Sequence, residues 1–210
     1  LSQLHLDSCC QEPVVNLAQV PDARPVQMGN VELRIIGRAV CNLPEVPLRE
    51  FYEPQQLGAS TDGGLDVLVH LVRMHLETHP RHVIVKLDIK NMFNEVTRAA
   101  MIRVFERHPD LRSMVPFLFA THSPKSPVFY ASGQHAKPCA EGSRQGAAEA
   151  GIAASAAIQE PLESADEALA TACEGFVRAD FDDMYLCGEP AAVAQALADF
   201  EMAIALVGAT

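Results

Sequence analysis

The sequence predicts a mixed fold, α+β or α/β, on three observations. HVIVKLDIK (82–90) alternates Val83, Val85 and Leu87 with Ile84 and Lys86, the pattern of a strand that ends near Asp88. GFVRADFDDMYLCG (175–188) reads as two short strands around an acidic turn. Segments of helical period separate these strands, with no G-x-G-x-x-G fingerprint or phosphate loop among them. The 210 residues suffice for one sizeable core, or for one domain and part of a second. With 49% hydrophobic and 20% charged residues, the composition is that of a globular chain rather than a disordered one.

Taken in order, residues 1–23 contain Pro13 and Pro21 and read as loop or a weak lead-in. The stretch 24–41 starts extended at Arg24-Pro25. Val31, Leu33, Ile35, Ile36 and Val40 then suit a short helix. Pro44, Pro47 and Pro54 make 42–57 a loop, and 58–64 is a second turn-rich patch. A helix is predicted from Leu65 to about Thr78, with Leu65, Leu68, Val69, Val72 and Leu76 on one face, and His79-Pro80 ends it. After the strand at 83–88, Thr97 is placed to N-cap a helix through about Arg107. Residues 111–121 read as helix and 126–131 as strand. The small, Ala-rich stretch 142–158 suits a closely packed helix, and the helical pattern resumes from Pro161 to 172. The hairpin follows, and AAVAQALADFEMAIALVG (191–208) is a final amphipathic helix. No internal repeat is present.

Charge is unevenly spread. Residues 1–140 carry 14 basic and 14 acidic side chains and residues 141–210 carry 2 and 13, so the second stretch supplies the whole net charge of −11. Such a stretch repels nucleic acid unless its carboxylates hold divalent metals, which reverse the local sign. The six cysteines (Cys9, Cys10, Cys41, Cys139, Cys173, Cys187) form no C-x-x-C pair. That speaks against a zinc site or disulfide framework and for a reducing, intracellular compartment, cytoplasm or nucleus. No apolar run reaches the roughly 18 residues of a membrane span, and LSQLHLDSCC does not resemble a signal peptide. The chain begins without Met and stops at ALVGAT, which reads as a fragment.

Three carboxylates stand out by position. Asp88 sits at the end of an apolar strand, and Asp182 and Asp183 sit adjacent in a turn between two others. Taken singly, each is an ordinary turn residue. Brought to one sheet edge, they would repel one another unless a cation bound between them. Two-metal catalysis needs that arrangement, with oxygen ligands around two Mg²⁺ ions about 4 Å apart.

The neighbouring residues resemble the reverse transcriptases of non-LTR retrotransposons. LDIKNMFNEVTR (87–98) resembles their first carboxylate motif, EGSRQGAAEAG (141–151) their Gln-Gly motif, and ADFDDMYLCG (179–188) their x-x-Asp-Asp hairpin. RPVQMGNVELRIIGRAV (24–40) is similar to their upstream Arg-Pro segment, and QLGASTDGG (56–64) to the Gly-rich stretch ahead of the palm. The five blocks stand in family order.

The resemblance implies an α+β right-hand polymerase: fingers and palm, a small antiparallel palm sheet backed by helices, and no thumb. It places a fingers-like region with its lead-in at 1–82. The palm follows at 83–210, with an inserted fingers segment near 111–142. Asp88 and Asp182 would ligate both Mg²⁺ ions, for which Mn²⁺ could substitute, and Asp183 would be the supporting acid. Phe93 matches the aromatic that excludes a 2′-hydroxyl, and Gln145 and Gly146 match the pair beside nucleotide and template. Arg24, Arg34 and Arg38 match basic fingers positions near the triphosphate, a task suited to the bidentate guanidinium. The implied partners are an RNA template with a DNA primer and deoxynucleoside triphosphates, and the implied activity is RNA-directed DNA polymerisation.

The chain also departs from the pattern. Ala147, Ala148 and Glu149 stand where the family has Asp-Pro and an apolar residue, and Asp180 stands in the slot of an aromatic. The chain ends where the primer-gripping segment and thumb would begin, so processive synthesis by it alone is not expected. These departures point to an alternative, a decayed or domesticated palm that binds nucleic acid or a protein partner without catalysis. A cyclase-type palm ranks below both, lacking its Gly-Gly-acid loop. His75, His79 and His82 do not make H-E-x-x-H and read as surface histidines, with Pro80 breaking the helix that would align them. Ser143 is not in a G-x-S-x-G elbow, so a hydrolase has little support.

Overall fold

The computed structural model describes residues 12–14, 31–122, 128–130, 140–144 and 146–209. In chain order these form β1 (Glu12–Val14), α1 (Val31–Asn42), α2 (Glu45–Tyr52), α3 (Leu57–Ser60), α4 (Gly64–Thr78), β2 (Val83–Asp88) and α5 (Met92–Glu95). Then come α6 (Arg98–Arg107), a 3₁₀ segment (Pro109–Met114) running into α7 (Val115–His122), and β3 (Val128–Tyr130). The chain closes with α8 (Ala150–Cys173), β4 (Phe176–Asp180), β5 (Asp183–Gly188) and α9 (Pro190–Ala205). It is a mixed α+β fold, mostly helical, divided into two compact units that interleave along the sequence.

The first unit draws on Leu1–Pro44 and Phe93–Ala154. Its strands β1 and β3 pair in parallel, Glu12 opposite Val128, where the sequence reading has loop at 12–14. Thr97 caps α6 as expected, its Oγ1 accepting from the Ala100 N–H at 3.3 Å. Helix α6 packs on the 3₁₀ segment and α7, and Met101, Phe105, Leu111, Met114 and Leu118 are buried. Of the stretch read as helix from 142, the described residues 142–144 and 146–149 precede the helix, which starts at Ala150, and Gly142 (φ 69°) and Gly146 (φ 109°) take left-handed conformations.

The second unit draws on Glu45–Met92 and Ser155–Thr210. Helix α2 occupies residues read as loop. Pro47 is its third residue, in the first turn, where a missing N–H leaves no helical bond unmade. Helix α4 covers its expected span but buries Gly64, Leu68 and His75, while Leu65, Val69 and Leu76 are exposed. The buried line is set back from the stripe drawn from the sequence, with Leu65 55% exposed. Strands β2, β5 and β4 form an antiparallel sheet in that order. Helix α9 packs on β5 and β2, burying Val193, Ala196, Phe200 and Ile204. Helix α8 runs unbroken through Pro161 and buries Ile158, Leu162, Ala165 and Leu169.

The sheet's register sorts its side chains. Leu87, Met184 and Ala179 lie across from one another, as do Val85, Leu186 and Val177. Met184, Leu186, Val177 and Ala179 are fully buried, which identifies this face as the core side. On the other face the rows are Asp88–Asp183–Asp180, then Lys86–Tyr185–Arg178, then Ile84–Cys187–Phe176. Alternation on each strand thus delivers the acids to one corner and the core to the opposite face.

Candidate active site

Asp88, Asp180 and Asp183 form one cross-strand row at the end of the sheet. Asp182 lies in the two-residue connection between β4 and β5, and its carbonyl accepts from the Ile89 N–H at 3.1 Å, tying the turn to the end of β2. The structure therefore brings the three predicted acids together and adds Asp180 to them. Lys86 Nζ lies 3.0 Å from Asp183 Oδ1, and that hydrogen bond is the largest of the influences raising the lysine pKa. The Asp180 carboxyl is also pushed up, first by burial and then by the charges of Asp183 and Asp182. Negative charge at this corner thus exceeds what Lys86 neutralises.

The connection itself is strained: Phe181 sits at φ 57°, an outlier for an aromatic residue. Gln56 holds it. The Phe181 N–H donates to Gln56 Oε1 (2.8 Å), and Gln56 Nε2 donates to the Phe181 carbonyl (3.2 Å). Gln56 is fully buried and pairs in parallel with Ala179 across an isolated bridge, and the Ala179 N–H donates to the Gln55 carbonyl at 2.7 Å. Two residues on, a Cβ at Gly58 would collide with Asp180 Oδ1 and lie 3.0 Å from Phe181 Cδ2. The segment QQLG thus docks against the acidic turn through the Gln55 carbonyl and the Gln56 side chain, and at Gly58 it comes so close that a Cβ would force the Asp180 carboxylate to shift.

Asp166 of α8 anchors the strand behind the turn. Its Oδ1 accepts from the Val177 N–H (2.7 Å) and from Arg178 Nη1 (2.8 Å), and its Oδ2 accepts from Gln55 Nε2 (2.8 Å). The sequence reading missed Gln55, Gln56 and Asp166. Position 56 carried a signal, as the first residue of a block already singled out.

The other predicted residues belong to the first unit or lie outside the described residues, as Arg24 and Gln145 do. Arg34 and Arg38 stand one turn apart on α1 and, with Val31 and Ile35, line one depression. The Phe93 carbonyl accepts from the Ser143 N–H (2.6 Å), and the Gly142 N–H donates to the Val96 carbonyl (3.1 Å). The first carboxylate block and the Gln-Gly block therefore meet through their backbones. Gly146 is exposed. The arginine that closes the first block, Arg98, is a buried structural cation. It donates from Nε to the Gly142 carbonyl (3.0 Å) and from Nη1 to the His122 carbonyl (2.8 Å). Arg144 is buried as well and donates to the Thr121 carbonyl. Burial, then Arg144 and Arg98, push the His122 pKa down to about 3. Glu149, one of the departures, is buried against α1, near enough that a Cβ on Gly37 would lie 3.0 Å from its Oε2.

At Cys41 and Cys187, nucleophilic thiol chemistry is disfavoured. Burial pushes Cys41 up to about 11 and Cys187 to about 12. His75, His79 and His82 are not scattered surface residues: His75 is buried and the other two are half-buried beside it.

The donor set at the sheet corner is carboxylate oxygen, carried on strand ends and the turn between them, which fits Mg²⁺. The site is thus a small antiparallel sheet set among helices, with carboxylates gathered at one corner. The solved structure of apo telomerase from Candida tropicalis, truncated from its C-terminal domain, aligns with a TM-score of 0.61 at 14% identity. The alignment covers 92% of this chain and 46% of that one, and it shows a reverse-transcriptase-like fold. No protein-family model matches the sequence, and no curated protein does. Among the described residues, no helix is long and apolar enough to cross a membrane.

Proposed function

We propose that the chain is a nucleotidyltransferase of the reverse transcriptase type, acting on an RNA template, a DNA primer and deoxynucleoside triphosphates. The observation that carries this is the row Asp88–Asp183–Asp180, with Asp182 in the turn beside it, in a fold shared with telomerase. The motif order argues for the non-LTR retrotransposon branch. In the reaction, the primer 3′-oxygen bonds to the α-phosphorus as the bond to pyrophosphate breaks. Asp88 and Asp182 would hold two Mg²⁺ ions, with Asp183 supporting them. When bound, these ions neutralise charge on the attacking and leaving oxygens. Gln56 fixes the turn that carries Asp182, and Phe93, Gln145, Gly146, Arg24, Arg34 and Arg38 serve nucleotide and template.

The test is single-nucleotide incorporation at low salt on an RNA template annealed to a DNA primer. The expected result is Mg²⁺-dependent addition that Asp182→Asn lowers by about a hundredfold or more, the scale of losing a group that stabilises transition-state charge. A folded chain that binds primer–template and adds no nucleotide with Mg²⁺ or Mn²⁺ overturns the assignment. One observation favours a second reading, a palm that binds without catalysing. The Lys86–Asp183 ion pair engages a carboxylate that catalysis would need for metal. On that reading, incorporation is absent while primer–template or protein binding persists.

A further inference from the structure

The last turn of α4 places His75 and His79 one above the other, four residues apart. Pro80 then turns the chain instead of scattering the cluster. The His82 N–H donates back to the His79 carbonyl at 2.9 Å and returns the third imidazole to the other two. The ring centroids lie 4.4 Å (His75–His79), 4.7 Å (His79–His82) and 5.0 Å (His75–His82) apart. One nitrogen from each ring lies within 4.8 Å of the others, and His75 Nε2 and His82 Nδ1 are 2.9 Å apart.

The surroundings fix which nitrogens face inward. His79 Nδ1 is 2.9 Å from Thr78 Oγ1 and 3.2 Å from the His75 carbonyl, so its Nε2 is the nitrogen left for a ligand, 3.5 Å from Glu174 Oε2. A backbone bond on the distal nitrogen is the usual support of a metal-bound imidazole.

We infer that His75, His79 and His82, with Glu174 at the fourth position, form a Zn²⁺ site that clips the end of α4 to the starts of β2 and β4. Tetrahedral Zn–N bonds of about 2.0–2.1 Å set ligand nitrogens about 3.4 Å apart. The separations here, from 2.9 Å to at most 4.8 Å, bracket that spacing. Rotation of the half-buried His79 and His82 closes the longer ones. Neutral imidazoles select Zn²⁺ over Mg²⁺, whereas the acids at the other end of the sheet have the opposite preference. The site stands apart from the polymerase assignment, which can fail without affecting it.

The experiment is calorimetric titration of the chain with ZnCl₂ in excess Mg²⁺. One Zn²⁺ should bind per chain and raise the melting temperature by mass action. His79→Ala and His82→Ala should each weaken binding by about tenfold or more, while Asp182→Asn leaves it unchanged. His75 is left intact because its ring packs edge-on against Phe176, 5.0 Å away. Absence of Zn²⁺ binding overturns the site, and so does binding that survives the paired substitution of His79 and His82. Should that variant unfold, protection of the native histidines from carbethoxylation by ZnCl₂ decides the matter. Protection supports the site and its absence overturns it.

Discussion

Gln56→Met isolates the hold on the acidic turn. The substitution keeps the volume and apolar stem of a fully buried side chain and removes both of its hydrogen bonds to Phe181. Each buried polar group that loses its partner costs about 1–3 kcal/mol. Phe181 is only half-buried, so water recovers part of the loss, and the two together come to about 2–4 kcal/mol. At roughly 2–4 °C per kcal/mol for a chain of this size, the melting temperature should fall by roughly 5–15 °C. Gln56→Glu divides the pair. The new carboxylate still accepts from the Phe181 N–H but cannot donate to its carbonyl while ionised, and it adds charge beside Asp180, Asp182 and Asp183. Its folded pKa should therefore rise above the unfolded value. The penalty is present at neutral pH and is relieved as pH falls through the raised pKa. Urea denaturation of both variants between neutral and mildly acidic pH reads these effects. A Gln56→Met stability within about 0.5 kcal/mol of the parent chain, or a Gln56→Glu penalty indifferent to pH, refutes the claim that this amide supports the turn.

Other perturbations have equally definite outcomes. Asp166→Ala strips Arg178, the Val177 N–H and Gln55 of a common acceptor. Urea melts should show a loss of about 3–5 kcal/mol, the scale of breaking a buried ion pair. His122 is held neutral down to about pH 3, whereas the unfolded imidazole takes a proton below about 6.5. Stability should thus fall as pH drops through that window, by up to about 1.4 kcal/mol per unit, and His122→Gln should flatten that limb in denaturation series. Asp180 has a raised folded pKa, so its penalty is present at neutral pH and vanishes as pH falls toward 3.8. Asp180→Asn should therefore stabilise the chain at neutral pH and not in acid. Mg²⁺ should raise the parent's melting temperature, and a melting temperature indifferent to Mg²⁺ argues that the corner holds no metal.

The strands and their acids were legible because both signals are local. Period-two alternation marks 83–88 and the hairpin, and aspartates at strand ends need no distant partner to be noticed. The hold on those acids was not legible, since Gln56 and Phe181 are 125 residues apart and no pattern in either segment announces the other. Proline misled twice. Pro47 concealed α2, although a first turn accepts it, and Pro80 seemed to disperse histidines that its turn collects. The buried face of α4 was misjudged because Gly64 and His75, neither conspicuously apolar, line it while Leu65 and Val69 face outward. Arg98 belonged to a recognised block, yet its burial shows a brace rather than a ligand-binding group.

The alternating rows of the sheet also guard against misfolding. A one-residue slip of β5 against its neighbours would turn Met184 and Leu186 outward and drive Asp183 and Tyr185 into the core. Burying an unpaired carboxylate costs several kcal/mol, a large share of a typical domain's stability, so a collapsed chain with that error lies far above the native state. A two-residue slip keeps the faces but sets Asp183 beside the wrong partner on each side and forfeits the Ile89–Asp182 bond. Every off-register hairpin is thus a shallow trap, and the charges that would serve chemistry at one corner also proofread the pairing that assembles it.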